Sequence, residues 1–151
     1  MEGQTENKME QGKVEIKTEQ AKIDSPTVIS HDKPKYMLLE KVKALYTMIN
    51  PWIEQFPKSS RFTIGERIEN SILDIMKALL MQNYQEDNNA RRRYMLDALA
   101  NMHLLAILLQ QAAVFKLIPY THYEPSSKLV KEIITIAQAR YKNLGGRNED
   151  I

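Results

Sequence analysis

Glu66 and Glu69 are the pair best spaced for carboxylate chemistry. Three residues apart, they share one face of a helix. A di-iron or di-manganese bundle needs more, a Glu-x-x-His pair on each of two helices. The three histidines are His31, His103 and His122, and none follows a Glu by three positions. His103, between Met102 and Leu104, reads as a half-buried helical histidine. No Gly-x-Ser-x-Gly nucleophile elbow and no glycine-rich phosphate loop occurs in the chain. Cysteine is absent, which removes thiol catalysis, cysteine-zinc sites and disulfides. The residues therefore predict no catalysis, no metal and no cofactor.

Basic residues offer a different chemistry, phosphate contact. Arg91-Arg92-Arg93 is the only triple basic run. It falls in the first turn of a helix, where positive charge opposes the helix dipole at a cost of a few tenths of a kcal/mol per charge. Two readings compete: a solvated helix end beside Glu86 and Asp87, or phosphate binding with Tyr94 available to stack. Lys128, Lys131 and Lys142 share a polar helical face through Thr135 and Gln138. Lys58 and Arg61 add charge in a polar stretch, Lys58-Ser59-Ser60-Arg61.

Four helices must position these groups. Leu38, Val42, Leu45, Ile49, Trp52, Ile53 and Phe56 recur at three- and four-residue steps, an amphipathic stripe from about 34 to 56. Pro51 predicts a kink or break near Asn50. Thr63-Ile64-Gly65-Glu66 fits a capping box with Phe62 and Arg67 at the staple positions, so a second helix should start at Thr63 after a polar loop. Ile64, Ile68, Ile72, Ile75, Met76, Leu79 and Leu80 form its stripe, and it ends near Gln85. Asp87, Asn88 or Asn89 caps a third helix running to about Leu117. Pro119 closes it, and a fourth starts near Pro125-Ser126. Leu129, Ile133, Ile136 or Ala137, Tyr141 and Leu144 face inward, and Gly145-Gly146 stops the helix. Short connections between helices of similar length predict an all-α, antiparallel up-down-up-down four-helix bundle.

The third helix is apolar on every face over Leu104-Leu105-Ala106-Ile107-Leu108-Leu109. Six residues are too few to span a bilayer, so no membrane association is expected. A helix greasy all round is packed on both sides, which points to a second subunit.

Charge is distributed unevenly. The 151 residues carry 21 Lys+Arg and 19 Asp+Glu, a net of +2. Residues 1–35 hold six Lys against seven acids and no aromatic residue. Such a segment buries too little to offset its ordering entropy and predicts a disordered tail. It carries no basic-then-apolar secretory pattern, which predicts a cytoplasmic protein. Residues 36–147 hold 15 Lys+Arg against 10 Asp+Glu, a net of +5. The expected organisation is a tail over 1–35, a bundle over 36–146 and a C-terminal tail over 147–151. The mild charge excludes a histone-like polycation, while repetition in a ring of subunits would multiply a modest patch.

The stretch Phe56-Pro57-Lys58-Ser59-Ser60-Arg61-Phe62-Thr63-Ile64-Gly65-Glu66-Arg67-Ile68-Glu69-Asn70 resembles the helix 1–2 junction of a bacterial four-helix-bundle family. That family includes the proteins encoded in 23S rRNA intervening sequences and the accessory variability determinant (Avd) of diversity-generating retroelements. Leu45-Tyr46, Pro51 and Tyr84 fit the same pattern, and the resemblance covers about residues 36–144. The Asn-Ile-Ala-Glu-Gly of the intervening-sequence branch is missing, so the chain is closer to the Avd branch. Where Avd helix four often carries Gly-Gly-Trp, this chain has Gln138-Ala139-Arg140.

The resemblance implies a homopentameric barrel without catalysis of its own. It would associate with a reverse transcriptase and with RNA and cDNA in template-directed mutagenic synthesis. Lys58, Arg61 and Arg67 are the basic residues in matching positions; Arg91, Arg92, Arg93, Lys128 and Lys131 join them on electrostatic grounds. The rival expectation is an oligomeric protein-interaction scaffold that binds no nucleic acid.

Overall fold

Apolar residues at three- and four-residue steps fold as helix because one face then collects them. In the computed structural model, which describes residues 36–145, helix α1 spans Met37–Glu54. It buries Leu38, Leu39, Val42, Leu45, Ile49 and Ile53 on one stripe, with Phe56 buried just past its end. Of the kink or break expected near Asn50, the break does not occur, since the helix continues through Pro51. Pro51 and Thr47 are both exposed, so the carbonyl left without its i+4 donor faces water. The expected tails over 1–35 and 147–151, with His31 and Gly146, lie outside the described residues.

Helix α2 begins five residues before the expected start. It runs through Lys58–Ser60, a π turn over Arg61–Gly65, and Glu66–Tyr84 without interruption. The polar stretch Lys58-Ser59-Ser60-Arg61 is thus helix rather than loop. Pro57, extended at φ −54° and ψ 151°, precedes the first turn, and its carbonyl accepts from the Ser60 and Arg61 N–H groups at 2.9 and 2.8 Å. The capping box is absent: the Thr63 hydroxyl donates backward to the Ser59 carbonyl at 2.9 Å. Phe62, expected as a staple with Arg67, is 61% exposed. The π turn adds a residue to one turn and rotates the apolar stripe that follows. Its Gly65 is buried where α2 crosses α1, and a Cβ there would lie 3.0 Å from Ile53 Cγ2 and 3.3 Å from Phe56 Cδ2.

Helix α3 spans Asn88–Val114. The Asp87 carboxylate caps it, accepting from the Ala90 N–H at 3.0 Å. It ends three residues before the expected Leu117, in a Schellman turn. The Leu117 N–H donates to the Ala112 carbonyl at 2.8 Å and the Lys116 N–H to the Ala113 carbonyl at 3.0 Å. Lys116 takes the left-handed position, with φ 61°.

Helix α4 spans Tyr120–Asn143 and starts at Pro119, not at Pro125. Pro125 lies inside the second turn, and the neighbouring Ser126 hydroxyl donates to the Tyr123 carbonyl at 2.8 Å. The buried stripe is Ser126, Val130, Ile133, Ala137 and Tyr141. Leu129 and Leu144, expected inward, are half-buried at its edge, and of the alternatives Ile136 and Ala137 it is Ala137 that is buried.

Each helix packs on the next, and α4 returns to α1. Three short connections reverse the chain each time, giving the antiparallel four-helix bundle that the sequence predicts. One core joins Leu38, Leu45, Ile72, Leu79, Met95, Leu99, Leu105, Ile133 and their neighbours. In the middle of α3, Leu105 and Leu109 are buried, whereas Leu104 and Ile107 stay 40% and 54% exposed. No helix among the described residues is long and apolar enough to cross a membrane.

Candidate nucleic-acid interface

The topology distributes the basic residues over both ends of the bundle. At one end α2 and α4 stop and α3 begins; at the other α1 and α3 stop while α2 and α4 begin. At 1.5 Å rise per residue, the 27 residues of α3 hold these ends about 40 Å apart.

The first end carries Arg91, Arg92 and Arg93, and two of the three are committed to structure. The Arg91 Nε donates to the Gln85 carbonyl just past α2, at 2.6 Å. The Arg92 Nη1 donates to the Leu144 carbonyl past α4 at 3.1 Å, and its Nη2 to Asn89 Oδ1 at 2.8 Å. Both guanidiniums therefore sit at helix C-termini, where the dipole favours positive charge. This offsets the unfavourable position that they hold on α3. Arg93 is exposed and remains for solvent or phosphate. Nearby, burial lowers the Arg140 pKa from the usual guanidinium range.

The second end carries Lys58, Arg61 and Lys116, and Arg67 follows as the tenth residue of α2; all four are exposed. Arg61 stands 5.9 Å over the Phe62 ring. It also lines a groove of about 570 Å³ between α1 and α2, which Glu54, Glu66 and Glu69 share. Three carboxylates offset its charge locally, so Lys58, Arg67 and Lys116 are the stronger phosphate candidates. Glu69 accepts from the Tyr46 hydroxyl at 2.7 Å. That hydrogen bond first, then burial and the Glu69 charge, raise the Tyr46 pKa above the ordinary tyrosine value. Of Glu66 and Glu69, the pair suited to acid–base chemistry, Glu69 is thus engaged in a structural hydrogen bond. Among the described residues no three His, Asp or Glu groups are arranged to hold a metal.

Exposed aromatic rings gather at this same end. Phe115 and Tyr120 are 60% and 67% exposed. Tyr120 and Tyr123 tilt together at 6.0 Å. Trp52 of α1 and His122 of α4 stack at 4.7 Å with planes 8° apart. Sequence reading missed Lys116, Phe115, Tyr120 and His122 as site residues. The sequence places the first two at the end of helix three and the others in a loop, and no spacing marks them as neighbours.

Lys128 and Lys131 lie between the two ends on α4. Lys128 approaches Glu124 at 3.9 Å, an exposed pair of small energetic weight. Lys131 borders an apolar groove of about 310 Å³ that includes Ile107 and Val130. The eight basic candidates therefore do not form one patch. His103 is half-buried as expected, and its Nε2 is buried without a hydrogen-bond partner.

Comparison with protein-family models, curated proteins and solved structures finds no match to this chain.

Proposed function

We propose that this chain is a non-catalytic, RNA-binding accessory subunit of the Avd type. It forms a ring, and it assists a reverse transcriptase in template-RNA-directed mutagenic cDNA synthesis. One observation carries the RNA-binding reading: Lys58 and Lys116 stand exposed at the same end of the bundle as the exposed Phe115 and Tyr120 rings. Cations that track a backbone and rings that accept bases are the two ingredients of single-strand recognition. The Phe56–Asn70 junction, which resembles the Avd branch, supplies the link to a reverse transcriptase. The exposed Leu104 and Ile107 on α3 support assembly, since a contiguous apolar face gains by meeting a second copy.

RNA affinity measured across salt tests the reading. Three or four phosphate contacts per protomer give log K against log salt a slope of about −2 to −3 for a single strand. Absence of RNA binding at low salt overturns it. In that case, recovery of a protein partner in the same preparation would support the scaffold reading. The retroelement role is tested by cDNA synthesis: reverse transcriptase with template RNA should depend on addition of this chain.

A further inference from the structure

The Trp52–His122 stack is an unfinished one. Trp52 is half-buried and packs against the core cluster, which fixes its position. His122 lies parallel to it at 4.7 Å and is exposed. The outer ring of the pair therefore offers a flat π face, anchored from below. Tyr120, two residues earlier, is 67% exposed, and Phe115 at the end of α3 is 60% exposed. Lys58 and Lys116 stand exposed on the adjoining ends of α2 and α3.

Such a surface discriminates between forms of nucleic acid. A duplex keeps its bases stacked on one another, and A-form RNA presents 2′-hydroxyls, base edges and phosphates rather than base faces. Exposed protein rings find no partner there. An unpaired strand offers a free face on every base, with phosphates close enough for a lysine to reach. Charge selects the same occupant. Lys58 and Lys116 are exposed at the same end as the rings, and the Glu124 carboxylate there approaches Lys128 at 3.9 Å.

We infer that this end of the bundle binds unpaired RNA by stacking a base on the exposed face of His122, extending the Trp52–His122 pair by one ring. Tyr120 takes an adjacent base, and Lys58 and Lys116 hold the intervening phosphates. The inference rests on the RNA-binding reading and adds to it the structural class of the ligand.

Trp52 is the only tryptophan in the chain, so its emission reports on the stack directly. The experiment compares a 12-nucleotide RNA strand with its perfect duplex at one salt concentration, using the full chain. The single strand should bind at least tenfold more tightly and change the Trp52 emission. His122→Ala and Tyr120→Ala should each weaken single-strand binding about tenfold, the scale of one lost base stack. Duplex affinity should not move, and circular dichroism should show both variants as helical as the parent chain. His122→Phe, which keeps a flat ring, should retain binding. Equal affinity for strand and duplex overturns the inference while leaving RNA binding intact. So does a strand that binds His122→Ala as tightly as the parent. Failure of both RNAs to bind overturns the RNA-binding reading itself, and this inference with it.

Discussion

The Arg92 guanidinium spans two helices: from the second turn of α3 it donates to the Leu144 carbonyl at the end of α4, at 3.1 Å. Arg91 does the same for α2 through the Gln85 carbonyl. The triple arginine run is therefore a shared C-terminal cap as much as a basic patch. A hydrogen bond from a charged donor contributes about 1.5–3 kcal/mol, less here because Arg92 is partly solvated. Arg92→Met should lower stability by about 1 kcal/mol in urea unfolding. Arg93→Met should leave it within about 0.5 kcal/mol, the usual range for a surface change. If Arg93→Met weakens RNA binding without loss of stability, the run divides into structural and phosphate-facing parts.

The two candidate starts of α2 make opposite predictions for Thr63. As an N-cap, Thr63→Ala would cost about 1 kcal/mol. In the structure the hydroxyl bonds back to the Ser59 carbonyl inside the helix, a contact that adds little to helix stability. Thr63→Ala should be close to neutral, whereas Asp87→Ala, which removes the observed cap of α3, should cost about 1 kcal/mol.

Those caps show what was legible beforehand. Helix existence, order and antiparallel packing follow from the stripes beginning at Leu38, Ile64 and Leu129, because burial of a face dominates helix placement. The start of α2 was hidden because Lys58, Ser59 and Ser60 carry no apolar signal, and a π turn shifts the phase that follows. The start of α4 was misplaced because Pro119 and Pro125 both suit a first turn, and only tertiary packing of Tyr123 and Ser126 chooses between them. The candidate site was less legible still. Lys58 and Lys116 stand 58 positions apart in sequence, and only the up-down topology brings their helix ends together.

Lys116 offers a test of strain. Its φ of 61° places a side chain in the left-handed region, which costs about 1–2 kcal/mol for most residues and little for glycine. Lys116→Gly should stabilise the protein by about 0.5 kcal/mol after the added freedom of the unfolded chain is subtracted. The same substitution removes a cation from the proposed interface, so melting temperature should rise while RNA affinity falls. A purely structural Lys116 would show the first change alone.

Gly65 is where helix propensity and packing oppose one another. Alanine in a helix interior gains about 1 kcal/mol over glycine. Here its Cβ would press on Ile53 and Phe56 at 3.0 and 3.3 Å, and overpacking of this kind costs about 1–3 kcal/mol. Both neighbours are buried core residues with limited room to retreat. Gly65→Ala should therefore destabilise, by up to about 2 kcal/mol, and Gly65→Val by more.

The Tyr46–Glu69 hydrogen bond should appear in the alkaline limb of stability. Its donor pKa is raised by that bond and by burial, so the folded protein holds the phenolic proton more tightly than the unfolded chain does. The corresponding stabilisation is fully present below the ordinary tyrosine pKa of about 10. It is lost as pH rises through the higher folded value. Tyr46→Phe should unfold more easily at neutral pH and show a shallower loss of stability above pH 10. An unchanged alkaline slope would mean that another group governs it.

Assembly is tested at Ile107, where folding and association separate. The side chain is 54% exposed on α3, next to the apolar groove shared with Val130 and Lys131. A glutamate there meets water in the single protomer, so Ile107→Glu should leave helicity and melting of the protomer nearly unchanged. Buried between copies, the same charge costs several kcal/mol. Light scattering of the parent chain should give about five times the 17.5 kDa chain mass, and Ile107→Glu should reduce it to one. Leu105→Glu is the contrasting control: Leu105 is buried within the protomer, so that variant should lose the fold itself. A parent chain that is already monomeric would remove the ring from the proposed function and leave the end-face site to act alone.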